Sequence, residues 1–340
     1  MTLLFITQKL HAQDAFGVLW ASAFAERGYN VIVLCLEDRR ELGAAALGGN
    51  GRAFPFRVYS LGKDEGFGKI RQILRFWRLI STLRYDRVFI HMSPVWGLLG
   101  AWKWWGRVPT YLWYTHYRMQ PGLRLLGWYG KRLFCATPQS LPQYNRSLKK
   151  VVTGHGIDLQ YWPKRANASH DPRKLLAVHR LSRSKRLEIV LKAMTLLPAY
   201  TLDVYGIDAE PDYAAEVKAL AVMLGLQLRV MFHGTVLSKD LPEIYRVHRL
   251  ILNMAYETID KTMLEAMTCG CYPVTTFRNA QAIGLPAAPA DDTPEAVAAF
   301  VERAAAHPPL DADQMYGIVE NRHSLTSLIA TMDAYIRPGT

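Results

Sequence analysis

Residues 250–276 read LILNMAYETIDKTMLEAMTCGCYPVTT. Leu250–Met254 is a short apolar run and predicts a buried strand. Tyr256 to Lys261 is polar and carries Glu257 and Asp260. Thr262–Thr268 returns its apolar residues at helical spacing, Met263, Leu264 and Met267, and Gly270 ends the pattern. Tyr272–Thr276 predicts a further strand. A strand that reaches the next strand through a helix pairs with it in parallel, so this stretch commits its part of the chain to a parallel α/β sheet.

The same alternation extends in both directions. Lys174–Val178, Thr201–Tyr205 and Leu228–Phe232 read as strands, with helical patterns at Leu187–Thr195, Tyr213–Leu224 and Leu241–Val247. An earlier series opens the chain. Thr2–Thr7 and Asn30–Leu36 flank a helical pattern at Ala21–Arg27 that Gly28 ends, and strands follow at Phe56–Tyr59, Arg87–His91, Thr110–Tyr114 and Leu133–Ala136. The pattern pauses at 151–156, and 163–172 is polar and poor in large apolar residues. Two such series in tandem predict two Rossmann-like domains, expected at 1–165 and 166–315, and leave a C-terminal helix expected over 316–340. A length of 340 residues suits two cores of ordinary size.

Half of the residues are hydrophobic and 21% are charged, the composition of a globular protein. Four scattered cysteines, Cys35, Cys135, Cys269 and Cys271, suggest a reducing, cytoplasmic location, and none sits at zinc-ligand spacing. The first six residues read as a buried strand, not as a secretory signal. No segment offers the roughly 18 uninterrupted apolar residues of a membrane-spanning helix. The net charge of +12 points to anionic partners: nucleic acid, anionic lipid or diphosphates.

Glu257 falls at the carboxyl end of a strand, where open α/β sheets bind ligands, and Glu265 lies on the helix that follows. The helix N-terminus between them, with its unpaired N–H groups, suits a phosphate. On spacing alone, the better description is that Glu257 is a loop charge and that Glu265 caps or salt-bridges its helix.

This segment resembles the E-x7-E motif of the retaining GT-B glycosyltransferases, and Leu264-Glu265-Ala266-Met267 followed by Gly270 and Pro273-Val274 is similar to family 4 of that class. The resemblance implies two Rossmann-like domains facing across a cleft, with the helix of 316–340 packing back toward the first, a nucleotide-sugar donor of the UDP or GDP type as substrate, and no cofactor; no Asp-x-Asp stands at a strand end near the amino terminus, so no metal is expected. It gives Glu257 the transferred sugar and Glu265 the ribose hydroxyls. Thr258, Ile259 and Asp260 stand where family members often have Gly-Phe-Gly, and with Leu264 they are expected at the donor. Arg180 and Lys185, in Arg180-Leu181-Ser182-Arg183-Ser184-Lys185, match the family's cation pair, which stabilises the leaving diphosphate. Arg183 and Arg186 read as solvated neighbours. Val236, in Gly234-Thr235-Val236, is expected against the base, and Gly206 close to the donor. In the first domain Gly17 would let the backbone approach the donor phosphates, and His116 matches the family's active-site histidine. His91 and His155 are further candidates.

Lys69–Arg84 reads as a basic amphipathic helix. With Trp102-Lys103-Trp104-Trp105 and Leu123–Phe134 it fits an anionic membrane surface as well as it fits plain packing on the sheet. The partners expected are therefore a nucleotide sugar, a saccharide or polyprenyl-diphosphate-linked acceptor, and an anionic membrane on the cytoplasmic face. The acceptor points to bacterial surface-polysaccharide or glycolipid assembly. Rival readings are glycoside hydrolysis by the two glutamates, nucleotide-sugar epimerisation, and nucleic-acid binding, for which no recognition helix or aromatic RNA-binding signature is present.

Overall fold

The computed structural model describes residues 1–11, 16–39, 54–116, 118–164, 171–256 and 259–337. The chain divides into two units, Met1–Gly156 with Leu325–Thr340, and Ile157–Ser324.

In the first unit, seven strands form one parallel sheet in the order β3-β2-β1-β4-β5-β6-β7. They are β1 Thr2–His11, β2 Asn30–Arg39, β3 Arg57–Ser60, β4 Arg87–His91, β5 Thr110–Trp113, β6 Arg132–Cys135 and β7 Lys150–Val152. Side chains alternate across a strand, so each strand feeds two cores. Leu3, Phe5, Val31, Val33, Phe89 and Phe134 face one side, covered by α1 Gly17–Glu26 and α12 Leu325–Ile336. Leu4, Ile6, Ile32, Leu34, Val88 and Leu133 face the other, beneath α2 Lys69–Thr82, α3 Pro94–Trp104 and α4 Pro121–Tyr129. Sheets buried on both faces read as continuous apolar runs, which is how Thr2–Thr7 reads.

The second unit holds a five-stranded parallel sheet in the order β10-β9-β8-β11-β12. Its strands are β8 Asp171–Val178, β9 Thr201–Tyr205, β10 Val230–Gly234, β11 His248–Asn253 and β12 Tyr272–Thr275. The helices are α5 Leu187–Thr195, α6 Pro211–Met223, α7 Leu241–Arg246, α8 Lys261–Thr268, α9 Phe277–Ile283, α10 Pro294–Ala306 and α11 Ala312–His323. Both sheets run outward from a central strand, then cross back to its other side. They are Rossmann-like, and the fold class is α/β.

Several boundaries differ from the sequence reading. β7 occupies part of the stretch where the pattern pauses, because Lys150–Val152 is a short edge strand without alternation of its own. Leu228 is almost wholly exposed and precedes β10, which begins at Val230. The division falls after Gly156, since Trp162 packs on Tyr245 within the second core. The returning segment is also shorter than 316–340: Met315 and Val319 of α11 belong to the second core, and the segment that joins the first unit begins at Leu325. Asp311 caps α11 with a reciprocal capping box to Gln314. Among the described residues, no helix is long and apolar enough to cross a membrane.

Candidate active site

β8 and β11 lie side by side in the second sheet, and the chain leaves them in opposite directions, toward β9 and β10 on one side and β12 on the other. A switch point of this kind opens a crevice at the carboxyl ends of the strands. His179, Arg180 and the turn to Lys185 follow β8 there, and Met254–Tyr256, Ile259 and Asp260 follow β11.

Lys185 is buried, and its ammonium meets Asp260 Oδ1 at 2.5 Å. Asp260 Oδ2 accepts a hydrogen bond from the Asn253 side-chain amide at 2.7 Å. Asp260 is the residue before α8, yet its side chain makes no capping bond to the helix, because both oxygens are engaged elsewhere. The Thr262 hydroxyl donates to the Val178 carbonyl at 2.8 Å, fixing the start of α8 against the end of β8.

A second set of bonds holds the loop that leaves β11. Asn253 Oδ1 accepts from the Ala255 N–H at 3.0 Å, the Thr275 hydroxyl donates to the Asn253 carbonyl at 2.7 Å, and the Asn279 amide donates to the Ala255 carbonyl at 2.8 Å. Arg186 adopts a left-handed backbone with φ of 51°. It donates to the Met254 carbonyl and to Asp292, each at 2.7 Å, with its guanidinium 5.5 Å from the Tyr256 ring. The expectation that Arg186 is a solvated neighbour is thereby corrected: a half-buried guanidinium next to a backbone carbonyl and an acid is a structural tie. Arg183 does lie at the surface, paired with Glu216 at 2.5 Å. Arg180 is exposed at the end of β8.

Glu265 lies in the second turn of α8, between Leu264 and Ala266, which are fully buried. Burial pushes its carboxyl up to about 7 against the pull of Lys261, and the charge of Asp260 adds to the rise. His179 is buried and its pKa is lowered by desolvation, so its ring is neutral at pH 7.

Beside this cluster a cleft of about 390 Å³ lies at the ends of β9 and β10, lined by Leu181, Gly206, Ile207, His233, Gly234 and Thr235 among others. Gly206 is required there for a steric reason: a Cβ would stand 1.8 Å from the His179 carbonyl oxygen. Gly234 takes φ of 73°, the left-handed turn that lets β10 end. Val236 is half-buried two residues further on. The His233 ring stacks on Tyr205 at 4.4 Å and meets Asp203 at 2.6 Å.

The structure thus gathers Lys185 and Asp260 at one strand-end crevice in the second unit, with Ile259, Leu264 and Glu265 on the same loop and helix. Arg180 follows the adjoining strand β8, and Gly206 and Val236 flank the neighbouring cleft. Glu257 and Thr258 lie outside the described residues. Gly17 and His116 belong to the first unit. Gly17 is the first residue of α1, after β1, and His116 follows β5 with an exposed ring edge-on to Tyr114. His91 is buried among Phe16, Trp20 and Trp113, and its Nδ1 is 3.4 Å from the Thr7 hydroxyl. His155 is buried as well, and so are the four cysteines. Asn253 and Asn279 escaped the sequence reading, which also took Arg186 for a solvated residue. Asn253, a polar residue closing an apolar strand, was the one visible signal; Arg186 and Asp292 are 106 positions apart.

Comparison with known proteins adds to this geometry. The family model for glycosyl transferases group 1 matches residues 160–281, and that for glycosyltransferase family 4 matches residues 18–140. No curated protein matches the sequence. Among solved structures, HepE of Anabaena in complex with UDP and glucose aligns with a TM-score of 0.75 at 16% identity, covering 98% of each chain. Sucrose-phosphate synthase from Thermosynechococcus elongatus aligns with a TM-score of 0.77 at 15% identity, covering 98% of this chain and 97% of that one. The lipopolysaccharide outer core galactosyltransferase WaaB, in its apo form, gives 0.69 at 15%, covering 99% of each. At these identities the likeness is one of fold.

Proposed function

Because the chain belongs to family 4 of the GT-B glycosyltransferases, we propose that it moves a sugar from a nucleoside diphosphate donor of the UDP or GDP type to an acceptor hydroxyl, with retention of anomeric configuration. The observation that carries this reading is the meeting of buried Lys185 with Asp260 at the start of α8, with Glu265 on the same helix.

The ribose hydroxyls donate to the Glu265 carboxylate. The diphosphate takes up the charge of Lys185 and of exposed Arg180 and the partial positive charge of the α8 N-terminus. As the sugar–phosphate bond breaks, negative charge grows on the leaving oxygen, and these fixed cations stabilise it more than they stabilise the ground state. In the front-face reaction proposed for the family, the acceptor oxygen attacks the anomeric carbon from the side of the leaving group, and its proton passes to the leaving phosphate oxygen. No enzyme nucleophile and no metal enter this scheme. Glu257 orients the transferred sugar, with Thr258, Ile259, Asp260 and Leu264 near it, Gly206 and Val236 border the base, and Gly17 and His116 serve the reaction from the first unit. The complexes of HepE with UDP and with UDP-glucose support a uridine donor. The acceptor is a saccharide or a polyprenyl-diphosphate-linked saccharide, used at the cytoplasmic membrane face in surface-polysaccharide or glycolipid assembly.

A thermal-shift panel of UDP, GDP, ADP and their sugars tests the donor, since a ligand of the folded state raises the melting temperature. Stabilisation by a uridine nucleotide is expected, unaltered by EDTA. If none of the panel stabilises the protein the reading falls, and an inverted anomeric product would remove the retaining assignment.

A further inference from the structure

We propose that the outward face of α2, α3 and α4 docks on a bilayer that carries anionic lipid. The proposal deepens the reading of a lipid-linked acceptor, and rests on it. α2 turns Phe76 and Ile80 into the core and Arg71, Arg75 and Arg78 to the opposite side, and on the flank between them it carries Ile70, Leu74 and Trp77 at four- and three-residue spacing, 78%, 57% and 38% exposed. The flank lies outside the face that packs on the sheet, so its apolar side chains are left uncovered. α3 repeats the feature with Val95, Leu98 and Trp102, and Trp128 of α4 is 68% exposed.

These stripes are continuous. The Trp77 indole N–H donates to the Leu99 carbonyl at 2.9 Å, and Trp77 and Trp102 line one shallow hollow of about 500 Å³. Leu98 and Trp128 line a second, of about 470 Å³, with Met119 and Leu125. Scattered surface apolar residues need no explanation, but a joined patch marks an interaction surface.

The charge of the face selects its partner. From Lys69 to Lys131 the sequence has eleven lysines and arginines against one acid, Asp86, so this stretch carries most of the chain's excess charge. On α2, Arg71 and Arg78 lie beside the apolar stripe, Arg75 is paired with Glu65 at 3.1 Å, and Arg71 lies 3.7 Å from the centre of the Phe67 ring. A second copy of the chain would bring cations against cations. A nucleic acid would satisfy the cations but gain nothing from Ile70, Leu74, Val95 and Leu98. Tryptophan and aliphatic residues at acyl depth, with arginine and lysine at phosphate level, are the composition of an interfacial membrane contact.

Flotation of the full chain with neutral and with anionic phosphatidylglycerol vesicles tests this, at low and high salt. Binding to anionic vesicles alone is expected, weakened by salt, with a blue shift of tryptophan emission. Leu74→Ser with Trp102→Ser and Trp128→Ser, all at exposed positions, should cut the bound fraction at least about fivefold while leaving UDP-glucose binding unchanged. Arg71→Glu with Arg78→Glu should do the same. Failure to float, equal binding to neutral vesicles, wild-type flotation of both variants, or binding of an oligonucleotide in place of vesicles would each overturn the proposal. A wild-type chain that binds UDP-glucose but no vesicle loses only the docking surface; one that binds neither loses the enzymatic reading too.

Discussion

Glu265 is held in a state that opposes the task proposed for it. Burial raises its carboxyl to about 7 from an ordinary 4.5, which favours the protonated form over the carboxylate. Because the folded value exceeds the unfolded one, its favourable contribution is complete below pH 4.5 and is lost as pH rises through 7, a loss of order 3 kcal/mol. Glu265→Gln should therefore melt higher than the parent at pH 8 and show little difference at pH 4. The same change removes a charged acceptor from the ribose hydroxyls, and hydrogen bonds to charged groups contribute about 1.5–3 kcal/mol, so donor affinity should drop roughly 10- to 100-fold. A variant that is less stable at pH 8, or that binds UDP-glucose normally, would sink this assignment. The parent protein offers an independent check. Ribose binding needs the carboxylate, so the affinity for UDP-glucose should improve by roughly tenfold from pH 6 to pH 8 as the fraction ionised rises. Calorimetry in two buffers of different ionisation enthalpy should register proton release near pH 7, and a pH-independent affinity would contradict it.

At the scale of elements, the start of α8 is where the energetics concentrate. Lys185, buried at the end of its turn, has its charge balanced by Asp260. Removing one member of a buried pair strands the other and costs about 3–5 kcal/mol. Asp260→Asn should accordingly lower the melting temperature, and a diphosphate should then restore part of what was lost by taking the place of the carboxylate. The expected result is a larger UDP-induced stabilisation in Asp260→Asn than in the parent, measured by thermal shift; a smaller one would mean that Lys185 does not face the diphosphate. This part of the molecule was half legible in the sequence. The strand–loop–helix reading of 250–276 found α8 and β12 because apolar periodicity reports burial directly. It located Lys185 and Asp260 as separate motif positions 75 apart, but nothing in a linear pattern says that they touch. Arg186 was misread for a similar reason: a cation in a polar turn looks solvated until the acid it meets, Asp292, is brought in by another element. β7 escaped because an edge strand of three residues is too short for periodicity to register.

At the scale of the whole molecule, the first unit is completed from the far end of the chain. α12 contributes Leu328, Ile329, Met332 and Ile336 to the core beneath α1, all buried, and Tyr29 donates to Asp333 at 2.5 Å. Burial of four such side chains stabilises by roughly 6–12 kcal/mol. That is comparable to the entire stability of an ordinary domain, about 5–15 kcal/mol. The second core draws on none of these residues, since it ends with Met315 and Val319 of α11. A chain that stops at Ser324 should therefore lose the cooperative melting of the first unit and keep that of the second. Apart from Gly17, the described residues proposed to hold the nucleotide run from Arg180 to Glu265 and belong to Ile157–Ser324, so UDP-glucose should still raise the surviving transition. At about 100 times its dissociation constant the gain is about 2.7 kcal/mol. Calorimetry with and without the nucleotide would read both effects in one experiment. A single transition that disappears with the truncation would mean that the second unit does not fold alone, and a surviving transition indifferent to UDP-glucose would move the nucleotide away from α8.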